Sequence, residues 1–301
     1  MWTAVFLALV HGAIFALYGA WAVANVAAGA AVWPFVVSLP LVLLALPFAV
    51  VLIAFGVAWW FRADRPADVC LDARGTLGLV CRELAAVAGN APRMILYRWL
   101  IREPAPAPAA APILLIHGVL CNAGVWHPFK RWLERRRIGP VYTLSYVPPL
   151  ASIELFAEQA AGKIDEILAV TGASRVVVVT HSMGGLVMRA YLRRHGGRKV
   201  ARLVTIGAPH QGSMHAWLAP GESLSQMRPG NAWLADLGLP AGEGLPPVVS
   251  LWSWHDSMVA PQTSSRIVFG DNIVIAGVGH NALLYDRDVF ERVLSEIRKA
   301  G

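Results

Sequence analysis

A serine between a β-forming run and the start of a helix can act as a nucleophile. Val176-Val-Val-Val-Thr-His-Ser-Met-Gly-Gly-Leu186 offers such a serine. The β-branched run ends at Thr180, a helical pattern opens near Met183, and Ser182 falls at the sharp turn between them. That turn needs a small residue two positions after the serine, and Gly184 supplies it. The helix start then aims backbone N–H groups at a developing oxyanion, so the chemistry is nucleophilic acyl transfer. A serine helix cap is the competing reading. Four valines before the turn and a helix after it favour the nucleophile. Thr180 stands where this turn usually carries glycine, so strand and helix must pack around a branched side chain.

A second segment, Ile113-Leu-Leu-Ile-His-Gly-Val-Leu-Cys-Asn122, runs from a β-pattern through His117-Gly118 into a loop. There the amide of Val119 is expected to donate one hydrogen bond to the oxyanion, with Met183 giving the other. The main chain does this work, so the side-chain types hardly matter. The alternative is a plain strand-end turn that uses glycine for its backbone freedom.

Together these segments resemble the bacterial lipase and esterase branch of the α/β-hydrolases. Ile206-Gly-Ala-Pro-His-Gln-Gly-Ser213 is similar to that family's Gly-Thr-Pro-His-x-Gly segment. The resemblance covers about residues 112 to 297. It implies an acid on a strand end after the serine and a histidine last in the chain. Asp256 fits the acid, since it follows Val248-Val-Ser-Leu-Trp-Ser-Trp-His255 and leads into a segment like the family's Asp-x-x-Val-x-Pro. Asp271 is the rival, but it precedes a strand pattern. His280 fits the base, after Ile273-Val-Ile-Ala-Gly-Val-Gly279. His117, His181 and His210 lie near the site by motif and are expected to shape loops. No CxxC or HExxH pattern suggests a metal, and no cofactor is implied.

The elements that must hold these groups alternate along the chain. Apolar β-rich runs occur at Ile113–Ile116, Val141–Tyr146, Val176–Thr180, Val200–Ile206, Val248–Trp252 and Ile273–Ala276. Helical patterns fall near Trp126–Arg136, Ile153–Val170, Met183–His195 and Asp288–Lys299. Such alternation predicts an α/β fold with a mostly parallel sheet covered on both faces. Sites in such sheets lie at the carboxyl ends of the strands. Residues 112–301 are therefore read as the catalytic domain. The Gly/Pro-rich stretch 212–247, with Trp217, Leu218, Met227 and Trp233, is read as a lid.

Residues 62–111 read as an amphipathic helical connector, lying along a membrane surface or covering the sheet, followed by a Pro/Ala linker. Residues 1–61 carry no Asp, Glu, Lys or Arg, so all 26 basic and 19 acidic side chains follow them. Two apolar stretches there, near Ala4–Ala28 and Phe35–Trp60, are long enough to cross a bilayer, with a turn at Pro34 and its neighbours. A two-helix transmembrane hairpin is thus predicted before the α/β-hydrolase fold. The start has no basic side chain and the apolar run is long, which disfavours a cleaved signal peptide. Arg62, Arg65 and Arg74 directly follow the second stretch and place the catalytic part in the cytoplasm. Small residues at Ala8, Gly12, Ala16, Ala20, Ala24 and Ala28 offer a packing face for the second helix or for another copy.

The net charge of +7 sits beside apolar spans and lacks nucleic-acid motifs, so the expected partners are an apolar ester and the bilayer, not nucleic acid. An acyltransferase or thioesterase would use the same three residues. A non-catalytic scaffold is disfavoured by the complete set.

Overall fold

The computed structural model describes residues 2–238 and 244–300. Its first two helices, α1 (Trp2–Ala27) and α2 (Trp33–Trp60), are long and apolar enough to cross a membrane. They form a hairpin in which the Tyr18 hydroxyl donates to the Phe35 carbonyl at 2.9 Å and Trp21 meets Phe35 edge-on. The connection falls at residues 28–32, where Gly29 takes φ +99°, and not at Pro34 as the sequence suggested. Pro34 belongs to the first turn of α2, where a missing N–H costs nothing. The small-residue ladder of α1 also departs from expectation. All six of its residues are exposed, so it faces away from α2 within this chain.

The connector helix α3 (Ala73–Ile95) starts at Asp72, whose carboxylate accepts the Gly75 amide at 2.7 Å. A short helix, α4 (Tyr97–Leu100), follows. Of the two placements the sequence allowed, α3 takes the one on the protein. It buries Ala86 and Met94 in the core below the sheet. The Pro/Ala linker after it forms no regular element.

The remaining chain builds a sheet of six strands: β1 (Ile113–Ile116), β2 (Val141–Leu144), β3 (Val176–His181), β4 (Val200–Ile206), β5 (Val248–Ser253) and β6 (Asp271–Ile275). Their order is β2-β1-β3-β4-β5-β6 and every neighbouring pair is parallel. β2 stops at Leu144, short of the predicted Tyr146, where its pairing with β1 ends at Ile116. The period of two sorts the side chains. Leu114, Ile116, Val176 and Val178 join one core with α6 (Ile153–Thr171) and α7 (Gly184–His195). Ile113, Leu115, Val177 and Val179 join the other with α3, α5 (His127–Arg135) and α10 (Arg287–Arg298). A strand buried on both faces must be apolar throughout, which is why the valine run of β3 does not alternate with polar residues. Each such side chain contributes about 1.5–3 kcal/mol by leaving water. After β4 come a 3-10 turn at Met214–Trp217 and two short helices, α8 (Glu222–Gln226) and α9 (Ala232–Asp236). Residues 239–243 of the predicted lid lie outside the described residues.

Candidate active site

Ser182 follows β3 directly and takes φ +56°, a conformation that favours glycine. Three close approaches hold it there. The Ser182 amide donates to the Ile206 carbonyl at 2.8 Å, which ties the turn to the end of β4. A Cβ on Gly184 would come within 2.9 Å of the Ile116 and His117 carbonyls, so α7 can start only with glycine at that point. A Cβ on Gly118 would meet the Ser182 Cβ at 2.8 Å. The His-Gly loop and the serine are thus in direct contact. Thr180 is fully buried and the turn forms around it, with its hydroxyl unpartnered among the described residues. Such an unmet hydroxyl costs about 1–3 kcal/mol, and that is what the branched residue brings in place of glycine.

The Ser182 hydroxyl makes no hydrogen bond among the described residues. Nor do the amides of Val119 and Met183, which flank it. Leu120 takes φ +53° just beyond Val119, and this bends the loop back. Tyr146 braces that loop from outside. Its hydroxyl donates to the His117 carbonyl at 2.6 Å and the Gly118 carbonyl at 3.0 Å, while its ring lies on His117 at 4.1 Å. The sequence reading gave Tyr146 only to a strand. Its role depends on a partner 29 residues away. The His117 imidazole is bent onto its own loop, with Nδ1 2.8 Å from the Gly118 carbonyl, and burial lowers its pKa to about 4.

Asp256 and His280 meet across the carboxyl ends of β5 and β6. Nδ1 of His280 lies 2.9 Å from Oδ2 of Asp256, and both residues are almost wholly buried. The other carboxylate oxygen accepts the amides of Met258 and Val259, each at 2.7 Å. The carboxylate is therefore fixed on both sides. Burial lowers the His280 pKa, but the Asp256 charge and hydrogen bond, with the Glu83 charge behind them, outweigh it and leave the value raised. His181 faces His280 with rings 4.5 Å apart, and its Nε2 donates to the His280 carbonyl at 3.1 Å. Burial, then the His280 charge, holds His181 neutral. His210 turns the other way, with Nε2 3.0 Å from the Thr205 hydroxyl. Asp271 is exposed and opens β6, at the far end of the sheet from Ser182 and His280.

Sequence reasoning missed Glu83. This carboxylate comes from α3, is 1% exposed, and lies under the His280 loop. It accepts the Ser257 hydroxyl at 2.7 Å, the Asn281 amide and side chain at 3.0 Å each, and the Ala282 amide at 2.9 Å. A Cβ on Gly279 would strike it, so that glycine lets the two segments close. A lone Glu in a helix nearly 200 residues before its partners leaves no local signal.

The hairpin reaches the same region. Thr3 on α1 donates to the Cys121 carbonyl at 3.4 Å, in the loop that carries Val119. At the end of α2, the Ala54 carbonyl lies 3.0 Å from Nε2 of His215, on the 3-10 turn after β4. Gln262 bridges the Ala58 and Asp256 carbonyls through its amide group, at 3.4 and 3.3 Å.

Known proteins share this architecture. Residues 112–232 match the family described as palmitoyl protein thioesterase. A triacylglycerol lipase of Vibrio cholerae is 33% identical over 115 residues, 36% of this chain and 36% of that protein. A triacylglycerol lipase of Pseudarthrobacter phenanthrenivorans is 42% identical over 59 residues, 20% of this chain and 18% of its own. The chain thus spans only about a third or less of these relatives. Among solved structures, the mature lipase of Bacillus licheniformis superposes with a TM-score of 0.57 at 16% identity, over 65% of this chain and 96% of that one. Lipase B of Aspergillus fumigatus gives 0.59 at 21%, over 69% and 58%. From residue 112 onward, the chain therefore has the α/β-hydrolase fold.

Proposed function

We propose that the protein is a membrane-anchored serine hydrolase that cleaves carboxylic esters of apolar acyl groups. The observation that carries this reading is the buried Asp256–His280 pair beside a serine held at positive φ. In the proposed cycle His280 takes the Ser182 proton as the hydroxyl attacks the ester carbonyl. Asp256 fixes the imidazole tautomer and offsets its positive charge. The tetrahedral oxyanion rests on the Val119 and Met183 amides, both free to donate. The protonated imidazole then gives its proton to the leaving alcohol, and water cleaves the acyl-enzyme through the same base. Glu83 is the positioning residue for the His280 loop. The 3-10 turn, α8 and α9 form the cap over the acyl chain, where Trp217 and Leu218 stand exposed.

The family match supports a second reading, in which the acyl group is carried on sulfur. The triad is the same and the thiolate leaves more readily. Kinetics on paired oxygen esters and thioesters of graded chain length separate the two. Turnover of long oxygen esters with none of thioesters supports the first. A preference for long acyl thioesters supports the second. Turnover of neither sinks both.

The anchor follows from apolar surface. Only 6% of the most apolar stretch of α1 and 22% of that of α2 are buried in the protein. That surface forgoes about 25 cal/mol per Å² if left in water, and a bilayer removes the cost. Arg62, Arg65 and Arg74 set the end of α2 on the cytoplasmic side. A cysteine at Val32, with the native three replaced, is then labelled by an impermeant reagent from outside. Cys70 as the sole cysteine is not, and the reverse pattern overturns the orientation.

A further inference from the structure

Next to Asp256, the last turns of α2 and the first turns of α3 enclose a cavity of about 510 Å³. Leu52 and Phe55 form one wall, Leu79 and Val80 another, and Arg65 and His255 add the polar groups. Asp256 borders the cavity, but its oxygens are already taken by His280 and two backbone amides. His255 is 2% exposed. Its Nδ1 accepts the Gly277 amide at 2.9 Å, so the proton of the neutral ring sits on Nε2. That Nε2 is buried without a partner among the described residues. Nε of Arg65 is buried and unpartnered too, and Arg65 makes no ion pair among the described residues. Burial, then the charge of Arg65, lowers the His255 pKa to about 4, so the positive charge in the cavity is that of Arg65.

Two buried donors with no acceptor are costly, and the Asp256 carboxylate at the border is held by its own hydrogen bonds. Both call for a ligand that only accepts. The walls call for an apolar chain, since Leu52, Phe55, Leu79 and Val80 are all apolar. At the rim, Arg62 lies 4.7 Å over the Trp59 ring, the pairing expected at the depth of lipid headgroups. We propose that this cavity binds an anionic amphiphile, with its carboxylate or phosphate head on Arg65 and His255 and its acyl chain along Leu52, Phe55, Leu79 and Val80. The site adjoins Asp256 but uses none of its oxygens, so its failure would leave the reading of Ser182 intact.

The test uses the full chain in a neutral detergent and a long-chain fatty acid carrying a diazirine on its chain. Crosslinks are mapped by mass spectrometry. They are expected on the 52–59 and 76–80 segments. Unlabelled fatty acid and phosphatidic acid should compete, and phosphatidylcholine of the same chains should not. Arg65→Gln should weaken labelling about tenfold, as loss of a charge-assisted hydrogen bond does. Arg65→Lys should keep most of it. His255→Asn, which retains an acceptor for the Gly277 amide, should weaken it less than Arg65→Gln. Turnover of a short soluble ester reports that each variant is folded. Labelling that is indifferent to Arg65→Gln, or equal competition by phosphatidylcholine, overturns the head-group assignment. Competition by inorganic phosphate but not by fatty acid overturns the amphiphile. Crosslinks confined to other segments overturn the site.

Discussion

The two sides of the site are built in different ways. The serine side is nearly local: β3, the turn at Ser182 and α7 are one continuous stretch, closed by the His117-Gly118 loop from the adjacent strand. The histidine side is assembled from distant parts. Its loop rests on a carboxylate from α3, and Gln262 ties the Asp256 carbonyl to the end of α2. The first half falls within the matched family segment, residues 112–232, while Asp256, His280 and Glu83 all fall outside it. The serine side therefore lies wholly in the part of the chain that resembles known families. The histidine side leans on a buried carboxylate from α3, which the matched segment does not include.

The deepest losses test whether the two sides act as a unit. Ser182→Ala and His280→Ala should each reduce kcat on a soluble ester by about 10⁶-fold, with no further loss in the double variant. Additive losses would mean that the two residues work separately. Asp256→Asn should cost about 10⁴-fold by favouring the wrong imidazole tautomer. Glu83→Gln comes next, at about tenfold in kcat, because an amide NH₂ replaces an acceptor that faces N–H groups. Its second signature is in the pH profile.

In the proposed cycle His280 must be neutral to accept the serine proton, so activity should fall as pH drops through its pKa. Asp256 and Glu83 raise that pKa against burial, while His181 and His215 also face the ring. Removing the Glu83 charge should therefore shift the acid limb of kcat to lower pH. A loss of activity without that shift would make Glu83 merely structural. On the serine side, Tyr146→Phe removes two hydrogen bonds to the oxyanion loop and should cost about fivefold in kcat. Asp271→Asn should change kcat less than about twofold, as expected of an exposed residue at the far edge. A larger effect there than at Asp256 would move the acid.

How much could be read in advance follows the same division. The valine run of β3, the glycines at 118 and 184 and the alternation of strands and helices are local signals, and a mostly parallel sheet follows from them, though its strand order does not. The hairpin was legible because 61 residues without charge have few other uses. Its turn was misplaced because Pro34 reads equally as a turn residue and as a helix opener. Glu83 and Tyr146 were invisible, since a buried carboxylate or phenol gains its meaning from partners far along the chain. The docking of α3 under His280 was not legible either. Its amphipathic pattern says that one face is buried, but not against what.

The central claim is that Ser182 is the nucleophile, and covalent labelling tests it most directly. The full chain is treated with a fluorophosphonate and the modified residue is located by mass spectrometry. A single adduct on Ser182, lost in Ser182→Ala and strongly slowed in His280→Ala, is the predicted result. An adduct on another serine, or full ester turnover by Ser182→Ala, would contradict the account.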